Sequence, residues 1–406
     1  MTKYFSRNVM FYFYLLINII FTIVYSYTGY LGGDFANLSI ISNIYSLVLS
    51  LFIFIIIVYF ILKIVFPFIE NKIKIKKHFK YEKSSLLNYI FLIISLFFLF
   101  CSIIGISNHR VDHSQLNYPP ALFYLYTLIS PQYLLLIYIF YSYKSNSKIF
   151  FFIIIITIIA SYLSGSSFTL IYLLPLYILR EDKKIKIKKL LTLLLLGIAI
   201  YPIFRFFKYA LNSMFNLTSS FDMIELDNYI SSTLHDNSLL ELYIYFLQLS
   251  VERFQVVSNI SYIIDQSDIL YSLSQNYNIQ NIDFFIFRTI ENIFFNNKNN
   301  EFILQKLVAI NINGLQTWSS HISLAGFFII EGVNSITTYL YVVILLLFSI
   351  LLSKLLSSNS RVIELTWINT LLFICHGWLS PFTYYVYSLL VFIMIIIFCD
   401  LLKRAR

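Results

Sequence analysis

Along this chain the apolar positions come in long unbroken runs, and the polar residues gather between the runs rather than alternating within them. About 20 apolar residues are what one helix needs to cross the hydrocarbon core of a bilayer. On that measure the pattern predicts spans at residues 9–27, 44–66, 86–107 and 121–142, a tight pair at 149–163 and 168–179, and another at 190–207. After a long interruption, three more follow at 336–352, 363–378 and 383–402. The short alternating segments of a membrane β-barrel are not the pattern here. The expected fold class is an all-α polytopic membrane protein of about ten transmembrane helices with one large loop. That loop, 208–335, separates an N-terminal bundle (1–207) from the C-terminal membrane helices (336–406).

Two details refine this picture. The stretch "LLELYIYFLQLSVERFQVVSNISYII" (239–264) has helical spacing interrupted by Glu241, Glu252 and Arg253, and reads as one amphipathic or partly embedded helix along the membrane surface. A true span there would require further spans in even number to keep the C-terminus on its side. The first apolar run is followed by no small-residue cleavage site, so it reads as a retained helix.

Composition changes the picture by exclusion. Hydrophobic residues make up 59% and charged residues only 12%, with a mean hydropathy of +0.77. About 25% charge is usual in soluble domains, so a soluble globular class is excluded. The net charge of +9 resides largely in "NKIKIKKHFKYEK" (71–83) and "REDKKIKIKK" (180–189), both between apolar runs. Lys and Arg in short loops mark the cytoplasmic face, so the excess is a topology signal and not a nucleic-acid footprint. Lys3, Arg7, the loops at 71–83, 143–148, 180–189 and 353–362, and the tail "KRAR" all fall on one side with ten spans. Both termini are then expected in the cytoplasm. The loop 208–335, with Asp222, Glu225, Asp227, Asp265 and Asp268, lies across the membrane from them. Cys101, Cys375 and Cys399 sit in apolar runs without paired or metal-ligand spacing and read as packing residues.

Candidate chemistry begins with arginine. Of nine arginines, Arg110, Arg205, Arg253 and Arg288 fall on the outer side, against the positive-inside bias. The flanks of the last three are largely apolar: "PIFRFFKYA", "VERFQVV", "FFIFRTIE". An arginine near hydrocarbon costs about 2.5–3.5 kcal/mol on insertion scales unless it pairs or faces a polar cavity. Two readings stand. The arginines snorkel to headgroups or pair with Glu252 and Glu291. Alternatively, they hold a membrane-embedded anion such as a lipid-linked phosphate or pyrophosphate, whose oxygens match the guanidinium fork.

The second constellation is "TWSSHISLAGFFIIEGVNS" (317–335). His321 titrates in the range suited to a general base, although an interfacial histidine reads the same way. Glu331, turned from the imidazole by most of a quarter turn if the stretch is one helix, is the second catalytic candidate. "SGSS" (164–167) reads as a hairpin turn. His109, Asp112 and His113 in "NHRVDHS" lack a distant partner, so no metal is expected. His376 reads as packing or as lining a cavity. No phosphate-binding glycine loop, dinucleotide fingerprint or Gly-x-Ser-x-Gly elbow is present.

In whole-chain architecture the sequence resembles the Wzy-type O-antigen polymerases, the oligosaccharide repeat unit polymerases. It shares with them a mid-chain hairpin and one large outer loop before the last helices. Two local stretches carry the resemblance further: "FFIFRTIENIFFNNKNNEF" (284–302), a hydrophobic-arginine stretch followed by Lys298, and "HISLAGFFIIEG" (321–332) entering a late helix. The resemblance implies a GT-C-like glycosyltransferase of the bacterial inner membrane that needs neither metal nor nucleotide, nor any other cofactor. It would move a growing glycan from undecaprenyl pyrophosphate onto a lipid-linked repeat unit at the periplasmic face. Arg205, Arg253, Arg288 and Lys208 would meet the pyrophosphate, Arg110 and Lys298 would assist, and His321 or Glu331 would serve as base. Membrane lipid and a chain-length regulator are the implied partners, and Trp318 and outer tyrosines would stack on sugars. The alternatives are an O-antigen ligase, a repeat-unit flippase, and a membrane protein without chemistry. Ile322 after His321 favours polymerase over ligase, and the lack of an internal repeat disfavours a flippase.

Overall fold

The fold is that of a computed structural model, which describes residues 5–35, 40–75, 78, 85–108, 118–166, 168–180, 187–218, 222–236, 238–277, 279, 303–314, 319–356 and 361–404. Among the described residues 85% are helical and none forms a strand. Six helical stretches among the described residues are long and apolar enough to cross a membrane: Arg7–Thr28, Ile44–Lys72, Ser85–Ile103, Pro120–Tyr141, Ser323–Leu355 and Leu379–Lys403. Lys148–Leu163, Thr169–Arg180 and Val362–Ile374 are apolar but shorter. A polytopic helical membrane protein is therefore what the chain builds.

Helix α1 (Phe5–Thr28) leads through a 3-10 turn (Gly33–Phe35) to α2 (Ile44–Tyr59), which continues through a π-helical segment into α3 (Phe66–Lys72). Asn43 caps α2 by accepting from the Tyr45 N–H. Next come α4 (Ser85–Ile103), α5 (Pro120–Ile129) and α6 (Pro131–Tyr141). The run predicted as one span at 121–142 is present as the spanning stretch Pro120–Tyr141, with a kink inside it. Ser130 takes a left-handed conformation before Pro131, whose ring cannot continue the preceding helix. The predicted hairpin is present as α7 (Lys148–Leu163), capped by Ser147, and α8 (Phe168–Arg180).

Helix α9 (Ile187–Thr218) runs past its predicted 190–207 at both ends, with Pro202 and Arg205 inside it. The expected boundary at 207/208 therefore falls in mid-helix. Beyond it lie α10 (Met223–Asp236), α11 (Leu239–Glu252), α12 (Val257–Asp265), α13 (Ser267–Asn276) and α14 (Leu304–Asn313). The stretch expected as a single helix at 239–264 is two helices with a corner at residues 253–256. Helix α11 packs on α9, but α12 packs on α2, α1 and the later α15 (Ser323–Glu331), with Val257, Ile260 and Ile263 fully buried. Part of the large insert is thus core. A 3-10 turn at 332–335 joins α15 to α16 (Ile336–Leu355), and α17 (Val362–Asn369) and α18 (Leu379–Arg404) complete the chain.

Aromatic packing locks the helices together. Phe91 of α4 stacks on Tyr138 of α6 at 4.4 Å and 8°, and Phe392 of α18 meets Phe91 at 5.3 Å. Helix ends sort into two groups. At one end Arg7, Glu70 and Glu364 meet in a buried cluster, and the Lys354 ammonium donates to the Glu70 and Ile73 carbonyls. At the other end the 33–35 turn, the 253–256 corner, residues 320–323 and residues 375–378 come together.

Candidate active site

The site forms at this second end, and glycine places its central residue. In "LGGDF" (31–35), Gly33 adopts φ +70° and its N–H donates to Glu252 Oε2 at 3.0 Å. A Cβ at Gly33 would stand 2.5 Å from Gln255 Nε2, so a side chain there would push the turn away from the corner. Phe35, fully buried, packs on Tyr262 at 4.9 Å. Between these two anchors Asp34 is held inward.

The carboxylate of Asp34 is met from several elements. Its Oδ2 accepts from Ser320 Oγ at 2.9 Å and from Asn259 Nδ2 at 3.0 Å. His321 Nε2 lies 3.8 Å from the same oxygen, and Arg253 Nη1 lies 3.7 Å from Oδ1. The side chains of Asp34 and His321 are each 6% exposed, whereas that of Arg253 is 45% exposed. Burial works to raise the Asp34 pKa, but the charges of His321 and Arg253 and the two hydrogen bonds outweigh it, leaving the carboxyl below its ordinary range. Burial pushes the His321 imidazole below its ordinary value; Asp34 opposes this and Arg253 adds to it. The arrangement at neutral pH is therefore a carboxylate beside a neutral imidazole, and the Arg253 guanidinium supplies the balancing charge.

Two loops deliver the rest. Ser323 has a φ of 55°, its N–H donates to the His376 carbonyl at 2.9 Å and its Oγ donates to the Cys375 carbonyl at 3.0 Å. Gly377 makes that contact possible, since a Cβ there would stand 2.7 Å from the Ser323 carbonyl oxygen. Gln305 of α14 ties both strands of the join: its side chain donates to the Gly377 carbonyl and its own carbonyl accepts from the Ser320 N–H. His376 consequently lies edge to face with His321 at 5.6 Å, and Trp378, half-buried, lies 5.8 Å from His321. Burial holds His376 well below the ordinary imidazole range, with His321 adding to the effect and Asp34 opposing it. His321 Nδ1 is buried and has no hydrogen-bond partner among the described residues.

Of the residues singled out from sequence, His321 and Arg253 are brought together. Arg205 lies close by on α9, but its Nη1 donates to the Leu249 carbonyl of α11 at 2.5 Å and its guanidinium covers the Tyr209 ring at 5.9 Å. Lys208 is one turn further along α9. Glu331 is not brought to His321. The imidazole precedes α15, and Glu331 ends that nine-residue helix, roughly 13 Å along its axis. There it lines a separate recess of about 460 Å³ with Ser267, Asp268 and Tyr271. Arg110, Arg288, Lys298, Trp318, His109, Asp112 and His113 lie outside the described residues. Among the described residues no group of three metal-type side chains forms.

Sequence reading missed Asp34, the hub, along with Asn259 and Ser320. The one local signal was an acid directly after two glycines in a short link between apolar runs. Glu252 was noted as an interruption of the 239–264 stretch and as an arginine partner. Here it accepts from the Gly33 N–H and from Gln248 Nε2 instead. Compared with known proteins, the chain matches no family model, no curated protein and no solved structure.

Proposed function

We propose that the chain is a membrane-embedded glycosyltransferase that polymerises lipid-linked oligosaccharide repeat units. The observation that carries the reading is the meeting of a buried, neutral His321 with a half-exposed Arg253 across one carboxylate, at the helix ends remote from the Arg7 cluster. In the reaction, an acceptor sugar hydroxyl attacks the anomeric carbon of the donor glycan. The bond from that carbon to the pyrophosphate oxygen breaks, and the leaving pyrophosphate keeps the electron pair. The hydroxyl proton passes to His321. A positioned base contributes typically about 10²–10⁴ in rate. The guanidinium of Arg253 meets the charge that grows on the leaving group, where a fixed donor is worth most. Trp378 offers a half-buried aromatic face for a sugar ring.

Under this reading the lysine-rich loops and both termini face the cytoplasm of a bacterial inner membrane. About ten spans, a GT-C-like arrangement, an undecaprenyl carrier and a chain-length regulator belong to the same proposal. The bilayer supplies the carrier, which explains why polar chemistry gathers at one end of an apolar bundle.

The test is glycan length in cells whose chromosomal copy carries His321→Ala. A polymerase defect leaves the acceptor capped with a single repeat. An uncapped acceptor indicates a ligase, and repeat units held on the inner leaflet indicate a flippase. An unchanged ladder, with the variant chain present at normal level, overturns the reading.

A further inference from the structure

We infer that Asp34 is a positioning carboxylate for His321: it turns Nε2–H of the ring toward itself and balances the charge the ring gains on taking a proton. The inference rests on the transferase reading and names how its base is made competent. An N–H dipole directed at a carboxylate 3.8 Å away is favoured over a lone pair directed at it. The basic lone pair therefore falls on Nδ1, the atom that is buried and without a partner among the described residues. An acceptor hydroxyl donating to Nδ1 would complete the ring's hydrogen bonding.

A contrast inside the molecule separates this pair from a structural tie. Arg7 contacts Glu70 at 2.7 Å and Glu364 at 2.8 Å, closed and buried on all sides. Asp34 stands at 3.7 Å from Arg253 and 3.8 Å from His321, beyond hydrogen-bond reach of both, although Ser320 and Asn259 fix its Oδ2. Catalytic hydrogen bonds are often long until substrate is bound. The carboxylate is thus pinned by neutral donors and left electrostatically open toward the two groups that do the chemistry.

Other titratable and charged groups lie on the elements packed near His321. Tyr14 and Tyr25 come from α1, Glu252 and Arg253 from the end of α11, and Asp265 from α12, where Ser46 and Asn43 hold it. Asp268 lies on α13 and Glu331 at the far end of α15. Tyr339 of α16 donates to the Leu324 carbonyl, and Cys375 and His376 follow α17. The charges that reach the ring are those of Asp34 and Arg253, and they act in opposite directions. Removing the Asp34 charge leaves Arg253 unopposed.

The experiment follows the six histidines of the full chain by NMR with ring-labelled histidine, in lipid nanodiscs between pH 5 and 9, with His321→Gln assigning the signal. Asp34→Asn is expected to move the His321 midpoint down by about one pH unit, as the loss of a nearby opposite charge does. The transfer rate on lipid-linked repeat units falls at least ~10-fold, and its acidic limb moves to lower pH in step. An unmoved His321 midpoint, with the His78 and His235 signals intact, overturns the inference. If Asp34→Asn does not accumulate, Ser320→Ala replaces it: one donor to the carboxylate is lost, more of its charge reaches the ring, and the His321 midpoint rises. A midpoint that stays in place there overturns the inference equally. Wild-type protein that titrates as stated but transfers no glycan overturns the transferase reading instead.

Discussion

Arg7 and Glu364, 357 residues apart in the chain, are joined by two hydrogen bonds, from Nε at 2.8 Å and from Nη2 at 3.0 Å. Glu70 takes the remaining direction of the same guanidinium at 2.7 Å, so α1, α3 and α17 are tied at one point. Removing one member of a buried pair leaves the other charge uncompensated, at a cost of about 3–5 kcal/mol. Arg7→Ala strands two carboxylates and is expected to cost that much. Glu364→Gln leaves the guanidinium with Glu70 and is expected to cost about 1.5–3 kcal/mol. Melting temperatures in nanodiscs compare them, and an Arg7→Ala chain as stable as Glu364→Gln would remove the cluster from this role.

Orientation across the bilayer follows from the lysine loops and is open to direct measurement. The described cysteines, Cys101, Cys375 and Cys399, are buried, so a membrane-impermeant maleimide has little background. Asn276→Cys, at the exposed end of α13, is expected to label on intact spheroplasts. Asn71→Cys, at the exposed end of α3, is expected to label only after permeabilisation. Reversed labelling inverts the topology and takes the periplasmic chemistry with it.

The two arginines near the site are expected to differ. Arg253 is half exposed beside Asp34, so Arg253→Lys keeps a charge but loses the fork that matches phosphate oxygens. A fall of about 10²-fold or more in transfer rate is expected. Arg205 already spends a donor on the Leu249 carbonyl and lies over Tyr209. Arg205→Lys should cost less in rate and more in stability. Equal rates for wild type and Arg253→Lys would remove the guanidinium from the reaction.

Acid should weaken the fold before it touches the carboxylate. His321 and His376 are held below the ordinary 6.5 in the folded chain, burial being the largest cause, so the unfolded chain binds protons first as pH drops below that value. Stability is therefore expected to fall between about pH 6.5 and 5, by up to ~1.4 kcal/mol per histidine per pH unit. Asp34 is shifted the other way in effect. With its pKa below the ordinary 3.8, its contribution persists through that window and is lost only at lower pH. Melting at pH 7.5, 6.5 and 5.5 measures the slope, and His376→Gln should flatten it. A pH-independent wild-type melt contradicts the buried-neutral assignment.

Much of the helical layout was legible because apolar runs report helices that must bury or face lipid. The hairpin at 164–167 and the first turns of α2, α7 and α16 lie within two residues of their predicted positions. The interruptions were not legible. The kink at Ser130 stands before Pro131 and the corner at 253–256 follows Glu252, local breaks that the long apolar runs on either side outweighed. Glu331 was read as turned from His321 by most of a quarter turn of one shared helix, but α15 starts only at Ser323 and Glu331 ends it. Asp34 stood out least of all. It is one acid in a short link, and its meaning comes from Asn259, Ser320 and His321, which the chain brings to it from more than 200 residues away.

Asn18 gives α1 a second duty. Its side chain accepts from the Val256 N–H at 2.8 Å and donates to the Phe254 carbonyl at 3.2 Å, so the corner that carries Arg253 is pinned to this helix. Arg7, eleven residues earlier, pins the same helix at the opposite end of the bundle. Eleven residues make three turns and about 20° of an α-helix, which puts both anchors on nearly one line. Helix α1 is therefore a ruler with two fixed marks. One residue inserted between them would turn Asn18 by about 100° away from the corner while leaving hydrophobicity and length almost unchanged. Natural variation in this segment should accordingly take the form of substitution, and length changes should be confined to the links outside the two marks.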